Sequence, residues 1–438
     1  MNRRKWRGLL KQYLLIVLLA LLVMISLMLS FGIWGTMGER SVYLTSSDTN
    51  ESEKRLVSEK DVEAVYDFDA VVVNQDKKHK RIMNSRGINR EILSALGDWQ
   101  VENVSAEKMK NNEYLKLLNE NDTVLLGYPD QVIGSLVEAR LNISVGLTDD
   151  DRIDWIQLPM NGKGEIRFFD DRTQDVYRAK VDQSGTALAD MQWPSDQTEV
   201  EFEWRKERVR INYLKNVKLK TKSYLLDEAE KSNVVSAAFK STEGTPFIVE
   251  NDNGDIEYTD GDTRRLVLDS NSGNVSLTEY DNTHIPKLMS NNMSHAYETL
   301  VAIKQVPENM YYFEELDEGM KLSYRLYVNG FPMFKSQNFD FGTASVAYEP
   351  NRQTIEYSLY SLQVPLPDKD EKTISLGNTK SVMKALRNAG VDTAEVQGTS
   401  LGYRWLEYDQ ERYITLQPGW FVQINNEWLP LSAYTGGM

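Results

Sequence analysis

The sequence has 438 residues, no cysteine and a net charge of −15. This length is typical of about two to four domains, and the lack of cysteine excludes thiol chemistry, thiolate metal sites and an acyl-cysteine lipid anchor. Residues 1–40 carry a net charge of +5, so residues 41–438 carry −20. An acidic body disfavours binding to nucleic acid or to an anionic lipid surface, and we interpret its charge as a source of solubility.

An uncharged segment near the N-terminus has the length of a membrane span. Residues 13–34 carry no charge and are bounded by Tyr13 and Trp34. As a helix they extend for about 33 Å, enough to cross a hydrocarbon core of about 30 Å. The positive-inside rule predicts a cytoplasmic N-terminus from the basic residues that precede the segment: Arg3, Arg4, Lys5, Arg7 and Lys11. We therefore predict a basic cytoplasmic tail at 1–12, a transmembrane helix at 13–34, and an extracytoplasmic remainder anchored in the cell membrane by a single pass.

A cleaved secretory leader is the alternative for this segment. Such a leader has an apolar core of about 7–15 residues followed by a small-x-small cleavage site. Here the apolar run is longer, and its last four residues are Phe31, Gly32, Ile33 and Trp34. The sequence therefore favours a retained anchor.

Small residues on the predicted helix suggest a contact with a second helix. Ser26 and Ser30 lie four positions apart on one helix face, and Ala20 is another small residue. Small side chains allow close helix approach, and hydroxyl groups can hydrogen-bond across the interface. We take Ala20, Ser26 and Ser30 as hypothetical partner-helix contacts. The alternative, that serine is merely tolerated in a long apolar helix, stays equally open.

The remainder predicts an α+β fold of antiparallel sheets with packed helices. A polar stalk and an N-terminal extracytoplasmic domain occupy 35–195, followed by a central α+β domain at 196–285. A C-terminal α+β domain at 286–438 is interpreted as two helix-plus-meander units. Within the N-terminal domain, Asn89 is predicted to cap a helix that ends at Gly97.

The C-terminal half predicts repeated modules, each a helix followed by an antiparallel meander. The three helices are predicted at 225–239, 287–303 and 379–389. Asn329-Gly330, between alternating apolar residues, predicts a two-residue hairpin turn.

Motifs for catalysis and metal binding are weak. Residues 398–402 read Gly-Thr-Ser-Leu-Gly and match a nucleophile elbow with Ser400 as the serine, but a strand is predicted afterwards and no histidine follows. Asp149 to Asp151 are interpreted as a solvated turn. The histidines show no metal-ligand spacing: His79, His284 and His295. We predict no catalytic residue, cofactor or metal, although an enzyme that uses only carboxylates would leave no motif.

Four stretches carry a family resemblance: YTDGDTRRLVLDSNSGNVSLTEYDN (258–282), YRLYVNGFPMF (324–334), LGYRWLE (401–407) and ITLQPGWFVQINNEWLPL (414–431). Together with the basic N-terminus and single transmembrane segment, they resemble the YycH family. Members of this family are membrane-anchored accessory proteins of the WalK/WalR (YycG/YycF) two-component system, which controls cell-wall metabolism in low-GC Gram-positive bacteria. The resemblance spans the chain and is strongest from about residue 200 onward.

The resemblance implies a non-enzymatic regulator that modulates the WalK sensor histidine kinase. It implies action with the single-pass protein YycI through transmembrane and extracytoplasmic contacts, and a unique N-terminal domain followed by two domains of related topology. It brings no catalytic, cofactor or metal residues. Trp405, Trp420 and Trp428 lie in or near the matched stretches, and we expect them to pack a sheet against its helix.

Two other functions stay open from the sequence. The chain can be an extracytoplasmic ligand-binding or hydrolytic protein on a passive membrane tether, or a structural or adhesion protein of the cell surface. Replacement of the predicted transmembrane helix by an unrelated one distinguishes these functions from the regulator.

Overall fold

The structure, a computed structural model, describes residues 61–183, 187–240, 245–250, 254–280, 289–303, 307–335, 341–366, 371–406 and 413–436. These residues form an α+β fold dominated by antiparallel sheets, which confirms the predicted fold class. The predicted membrane segment at 13–34 lies outside them. Among the described residues, no helix is both long and apolar enough to cross a membrane.

The helices are short. In chain order they are α1 (Val62–Val65), α2 (Arg86–Leu96), α3 (Asn111–Leu118), α4 (Gly134–Leu141), α5 (Lys231–Ala238), α6 (Met289–Ala302), α7 (Thr379–Asn388) and α8 (Leu431–Thr435). Helix α7 begins with a side-chain cap, in which the backbone N–H of Ser381 donates to the side chain of Asn378.

The N-terminal part of the described chain forms one antiparallel sheet. Its strands are β1 (Ala70–Gln75), β2 (Lys78–Ile82), β3 (Gln100–Val101), β4 (Ser105–Lys108), β5 (Thr123–Ile133), β6 (Arg152–Pro159), β7 (Gly164–Phe169), β8 (Asp175–Gln183), β9 (Gln197–Arg205) and β10 (Arg208–Tyr213). The spatial order is β10-β9-β2-β1-β5-β6-β7-β8, and both β3 and β4 pair with β8.

The later strands form a second, larger sheet and a separate two-stranded ribbon. They are β11 (Val217–Lys220), β12 (Lys222–Glu228), β13 (Phe247–Glu250), β14 (Ile256–Thr259), β15 (Arg264–Leu268), β16 (Asn274–Tyr280), β17 (Met310–Leu316), β18 (Lys321–Val328), β19 (Phe331–Phe334), β20 (Thr343–Glu349), β21 (Arg352–Ser358), β22 (Tyr360–Pro365), β23 (Thr373–Leu376), β24 (Gly398–Leu406), β25 (Tyr413–Ile424) and β26 (Glu427–Pro430). Strands β11 and β23 pair separately as a two-stranded ribbon.

The larger sheet has two halves joined by the β18–β19 hairpin. The strand order in the first half is β13-β14-β15-β16-β21-β20-β18-β17. The order in the second half is β19-β24-β25-β12-β22, and β26 also pairs with β25. The hairpin turn is Asn329-Gly330, where both residues have positive φ, at 50° and 80°. This conformation confirms the hairpin predicted from the sequence, because a type I′ turn requires positive φ at both central residues.

Two hydrophobic clusters tie the N-terminal sheet to the larger sheet. Alternate residues of β1 point to opposite faces. On one face, Val71 joins a cluster that includes Leu322 of β18, whereas Val72 on the other face joins a cluster that includes Leu401 of β24. All the described residues accordingly belong to one compact unit. The predicted domain boundaries and the repeat of helix-plus-meander modules stay predictions.

Two of the three helices predicted in the C-terminal half match α6 and α7 closely. The remaining prediction, a helix over 225–239, is wrong at its start: Leu225 lies in β12, and α5 begins at Lys231. Asn89 does not cap a helix either. It lies inside α2, where its side-chain amide donates to Asp67 Oδ2 at 3.1 Å and to the Phe68 carbonyl at 2.9 Å.

Strand β13 lies at the edge of the larger sheet and is apolar. Phe247, Ile248 and Val249 are consecutive, with exposed fractions of 68%, 65% and 49%. Edge strands with exposed backbone groups are usually protected by charge, proline or a covering element. None of these three residues supplies such protection.

Candidate functional site: a polar cleft beside a buried charged junction

Four buried aspartates gather at one end of the N-terminal sheet. Asp130 lies in β5, Asp154 in β6, and Asp170 and Asp171 in the turn after β7. Strand pairing brings them together, because β6 pairs with both β5 and β7. Arg208 of β10 forms an ion pair with Asp130 and lies 3.9 Å from an oxygen of Asp154. We call these five residues the junction.

Hydrogen bonds satisfy the junction carboxylates from several elements. The side-chain amide of Gln131 donates to Asp154 at 3.0 Å and to Asp170 at 3.1 Å. Asp171 accepts from the Tyr114 hydroxyl at 2.8 Å and from a backbone N–H of β10 at 2.9 Å. Burial nevertheless raises the pKa of the Asp154 carboxyl, and burial together with Asp154 raises the pKa of Asp171 strongly. The junction is therefore a polar network in which burial makes the ionised form of these carboxyl groups less stable.

Strand β17 of the larger sheet docks directly on the junction. The backbone N–H of Glu315 donates to Asp130 Oδ2 at 2.9 Å, and the Tyr312 hydroxyl donates to the Gln131 carbonyl at 3.1 Å. Burial, followed by the nearby Asp130 carboxylate, raises the pKa of the Glu315 carboxyl to about 7. The guanidinium groups of Arg152 and Arg172, the second of which lies 3.7 Å from the Glu315 carboxylate, only partly offset this rise in pKa.

A second set of contacts joins the two sheets near the start of the described chain. Asp67 accepts from Arg86 at 2.9 Å and from Arg140 at 2.9 Å. The Arg86 guanidinium also lies 3.6 Å from the ring centre of Tyr311 and 4.5 Å from that of Tyr327. Cation–π contacts of this kind stabilise a desolvated guanidinium. The N-terminal sheet is thus held to β17 and β18 by charge as well as by apolar packing.

A polar cleft lies on the outer face of the first half of the larger sheet. Its floor contains one residue from each of five adjacent strands, and the pairing register aligns them in a row: Glu314, Ser323, Ser345, Glu356 and Ser276. Directly paired residues point to the same face of a sheet. The opposite face of these strands is apolar and shares a hydrophobic cluster with α6.

The turn between β25 and β26 forms one wall of the cleft. Asn426, Glu427 and Trp428 line this wall, and the open cleft has a volume of ≈ 420 Å³. Across the floor, the Lys321 ammonium lies 3.2 Å from the Glu356 carboxylate, which also accepts a hydrogen bond from the Ser345 hydroxyl at 3.0 Å. A concave surface with convergent polar groups is the usual form of a ligand site.

Glu314 sits at the inner end of the cleft and is 7% exposed. Its Oε2 accepts from the Trp428 indole N–H at 2.8 Å and from the Gln423 amide at 3.2 Å. Burial raises the pKa of the Glu314 carboxyl, although the guanidinium of Arg325, 3.7 Å away, opposes the rise. Arg325 in turn lies 4.4 Å from the ring centre of Phe313. The carboxylate and guanidinium are fixed in place by these neighbours.

Neighbouring residues of β17 connect the cleft to the junction. Glu314 belongs to the cleft, whereas Glu315 contacts the junction through its backbone N–H. The register between β17 and β18 shifts between Tyr312 and Glu314, which marks a β-bulge. Neither glutamate is among the residues predicted from the sequence, although the two form an acidic pair within an otherwise apolar strand.

The predicted partner-helix residues Ala20, Ser26 and Ser30 lie outside the described residues. Ser400 lies in β24, paired with Phe421, so the setting of a nucleophile elbow is absent at this position. His79 is half-buried, with Nδ1 2.8 Å from Asn74 Oδ1. In the part of the chain that the structure describes, no group of three or more His, Cys, Asp and Glu side chains is arranged to hold a metal ion.

The three tryptophans have different environments. Trp420 is buried, and its indole N–H donates to the Gly377 carbonyl at 2.7 Å, just before α7, as the packing prediction requires. Trp405 packs edge-on against Tyr360. Trp428 packs against the ring of Phe313 and also lines the wall of the cleft, where a ligand would contact it.

Comparison with known proteins assigns the chain to a family. The model of the YycH protein N-terminal domain matches residues 14–192, and that of the YycH protein C-terminal domain matches residues 213–436. No curated protein sequence matches the chain. The crystal structure of YycH from Bacillus subtilis matches with a TM-score of 0.69 at 15% identity, covering 85% of this chain and 98% of that one. The fold is therefore shared with a solved YycH, and the two family models together span most of the sequence: the chain belongs to the YycH family.

Proposed function

We propose that this chain is a non-enzymatic, membrane-anchored accessory regulator that modulates the WalK (YycG) sensor histidine kinase, and through it cell-wall metabolism. The supporting observation is membership of the YycH family, whose proteins regulate the YycG/WalK system. In this proposal residues 13–34 cross the cell membrane once, the N-terminus is cytoplasmic, and the bulk of the chain is extracytoplasmic.

The proposed partners are WalK and a YycI-like single-pass membrane protein. Ser26 and Ser30 would form the face of the transmembrane helix that meets a partner helix, with Ala20 as a further contact, because small side chains and hydroxyl groups favour close helix contacts. The described outer residues would add extracytoplasmic contacts.

A helix replacement tests the proposal. Residues 13–34 are exchanged for an unrelated transmembrane helix of equal length, in a Gram-positive host that lacks its own YycH-family protein. We expect the variant to reach the membrane and to lose its effect on transcription of WalR-dependent genes. Unchanged transcription with normal membrane localisation would refute regulation through helix contacts and favour a passive tether.

A smaller change tests the proposed contact face. Replacing Ser26 and Ser30 together by leucine should weaken pairing with a partner helix by about 1 kcal/mol or more. The control is Met28→Leu, which alters a position near the opposite side of the helix. Co-purification of WalK and the YycI-like protein is the measurement. Equal recovery from the double variant and the control would contradict the assignment of these residues.

A further inference from the structure

The hydroxyl groups on the cleft floor belong to separate strands of the sheet, so the distances between strands set the distances between them. Ser323, Ser345 and Ser276 come from β18, β20 and β16, within a row that starts at Glu314 and includes Glu356. Adjacent strands lie about 4.8 Å apart, so the row of five residues is about 19 Å long. This spacing is close to the length of one pyranose unit in an extended β-1,4-linked sugar chain. The row thus places a hydroxyl or a carboxylate at each successive interval of this length.

The charges around the cleft are nearly balanced. Four acidic and three basic side chains line it: Asp269, Glu314, Glu356, Glu427, Lys321, Arg325 and Lys335. Two of the basic groups face acidic ones, in the ion pairs Lys321–Glu356 and Arg325–Glu314. A phosphate or a polyanion needs an excess of positive charge, and a cation needs an excess of negative charge. The balance instead suits a neutral ligand with many hydrogen-bonding groups.

The cleft combines polar groups with an aromatic wall. Trp428 lines it next to Asn426, and Leu316 adds an apolar surface. A sugar ring carries hydroxyl groups around its edge and C–H groups on its faces, so it can hydrogen-bond to the floor while an apolar face contacts the wall. A peptide of comparable length carries side chains of variable size and charge, for which this uniform row offers no separate pockets.

We propose that the cleft binds a neutral, extended β-1,4-linked oligosaccharide. The chain would lie across β17, β18, β20, β21 and β16, with successive rings over the row from Glu314 to Ser276. Ser276 lies at the far end of the row, lines the cleft and is partly exposed. This inference goes beyond the proposed function and does not depend on it.

Calorimetric titration of the full chain in lipid nanodiscs tests the proposal. The probes are the β-1,4-linked tetramers N-acetylchitotetraose and cellotetraose, and the control sugar is the α-1,4-linked maltotetraose. We expect at least one β-linked tetramer to bind, and to bind at least roughly tenfold more tightly than maltotetraose, because the curved α-linked chain cannot follow a straight row. Failure of both β-linked tetramers to bind, or equal binding of maltotetraose, would overturn the proposal.

Two variants on one strand then locate the site. Ser276→Leu removes a floor hydroxyl and fills its space, and should weaken binding of the β-linked tetramer by roughly tenfold or more. Thr278→Leu is the matched control, since Thr278 lies two positions further along the same face of β16 and outside the cleft lining. Thermal unfolding checks that both variants fold. Full binding by folded Ser276→Leu would place the sugar elsewhere and refute the cleft assignment.

Discussion

Replacing Glu315 by glutamine measures the cost of an ionised carboxylate at the junction. The pKa of Glu315 is about 7 in the folded protein, against an ordinary value of 4.5. The folded state therefore keeps a proton that the unfolded state loses, and stability falls as the pH rises from about 4.5 to 7. Above pH 7 the side chain is ionised in both states and the full penalty remains. Glutamine has the same size but does not ionise.

The magnitude follows from the two pKa values. A difference of one pKa unit corresponds to about 1.4 kcal/mol, so the interval between 4.5 and about 7 corresponds to about 3 kcal/mol. Solvent screening reduces this figure little, because the Glu315 side chain is only 6% exposed. We expect Glu315→Gln to gain about 3 kcal/mol of stability relative to the unmodified chain between pH 4 and pH 8.

Urea-induced unfolding of residues 55–438 provides the assay. Tryptophan fluorescence is followed at pH 4, 5, 6, 7 and 8, and the difference in free energy between variant and unmodified protein is plotted against pH. Glu318→Gln serves as the control, because Glu318 is exposed to solvent a few residues along the chain and its substitution should change stability little.

The decisive observation is the pH dependence rather than the absolute stability. A difference that is constant from pH 4 to pH 8 would show that Glu315 ionises as freely in the folded protein as in the unfolded one. A difference that grows toward low pH would mean that the carboxylate is stabilised by the neighbouring arginines, Arg152 foremost, more than it is destabilised by burial and Asp130. Either result would refute the electrostatic account of the junction.

Three further substitutions probe other contacts, each through urea unfolding at pH 7. Arg208→Met leaves the Asp130 carboxylate buried without its ion-pair partner and should cost about 3–5 kcal/mol. Gly402→Ala brings a Cβ against the ring of Phe334 and should cost about 1–3 kcal/mol. Tyr66→Phe removes a buried hydroxyl that bridges the α6 backbone and another tyrosine, at a cost of about 1–2 kcal/mol.

Each of these variants is paired with a control substitution or with an outcome that would contradict its structural basis. Arg90→Met changes an exposed arginine of α2 and should leave stability nearly unaltered. Gly87→Ala adds a Cβ with no atom within 4 Å and should stabilise α2 by about 0.5–1 kcal/mol. Equal effects of Gly402→Ala and Gly87→Ala would contradict the close approach at β24, and a neutral Tyr66→Phe would contradict the bridging hydrogen bonds.

Locally encoded features were predictable from the sequence. The Asn329-Gly330 hairpin follows from two adjacent residues that tolerate positive φ. The helices predicted at 287–303 and 379–389 correspond to α6 and α7, because their apolar spacing and end signals lie within one segment. In each case the residues that determine the structure lie close together in the sequence.

Features that depend on distant partners were not predictable. Residues from Leu225 onward were predicted as helix, but Leu225 pairs with Tyr413 of β25, and this pairing overrides local helix propensity. Asn89 has the chemistry of a helix cap, yet its amide is used to bind Asp67 and the Phe68 carbonyl. A single sequence gives no indication of which distant group will satisfy a buried polar side chain.

The candidate site was hidden for the same reason. The Glu314 carboxylate meets the Trp428 indole across more than a hundred residues of sequence, and the cleft row combines residues of five strands. Serine and glutamate on the solvent face of a sheet are common, so each of them alone carries little information. Only the strand register reveals that they align.

The apolar edge strand β13 bears on how this protein behaves at high concentration. Two copies that meet through Phe247, Ile248 and Val249 could pair edge to edge, as unprotected strands tend to do. The excess of acidic residues in 41–438 supplies long-range repulsion that keeps copies apart. Dissolved salt screens this repulsion over a Debye length of about 8 Å at physiological strength and about 3 Å at 1 M. Colloidal stability should therefore be greatest in dilute buffer, and crystallisation from concentrated salt should bring the β13 edges of neighbouring molecules together.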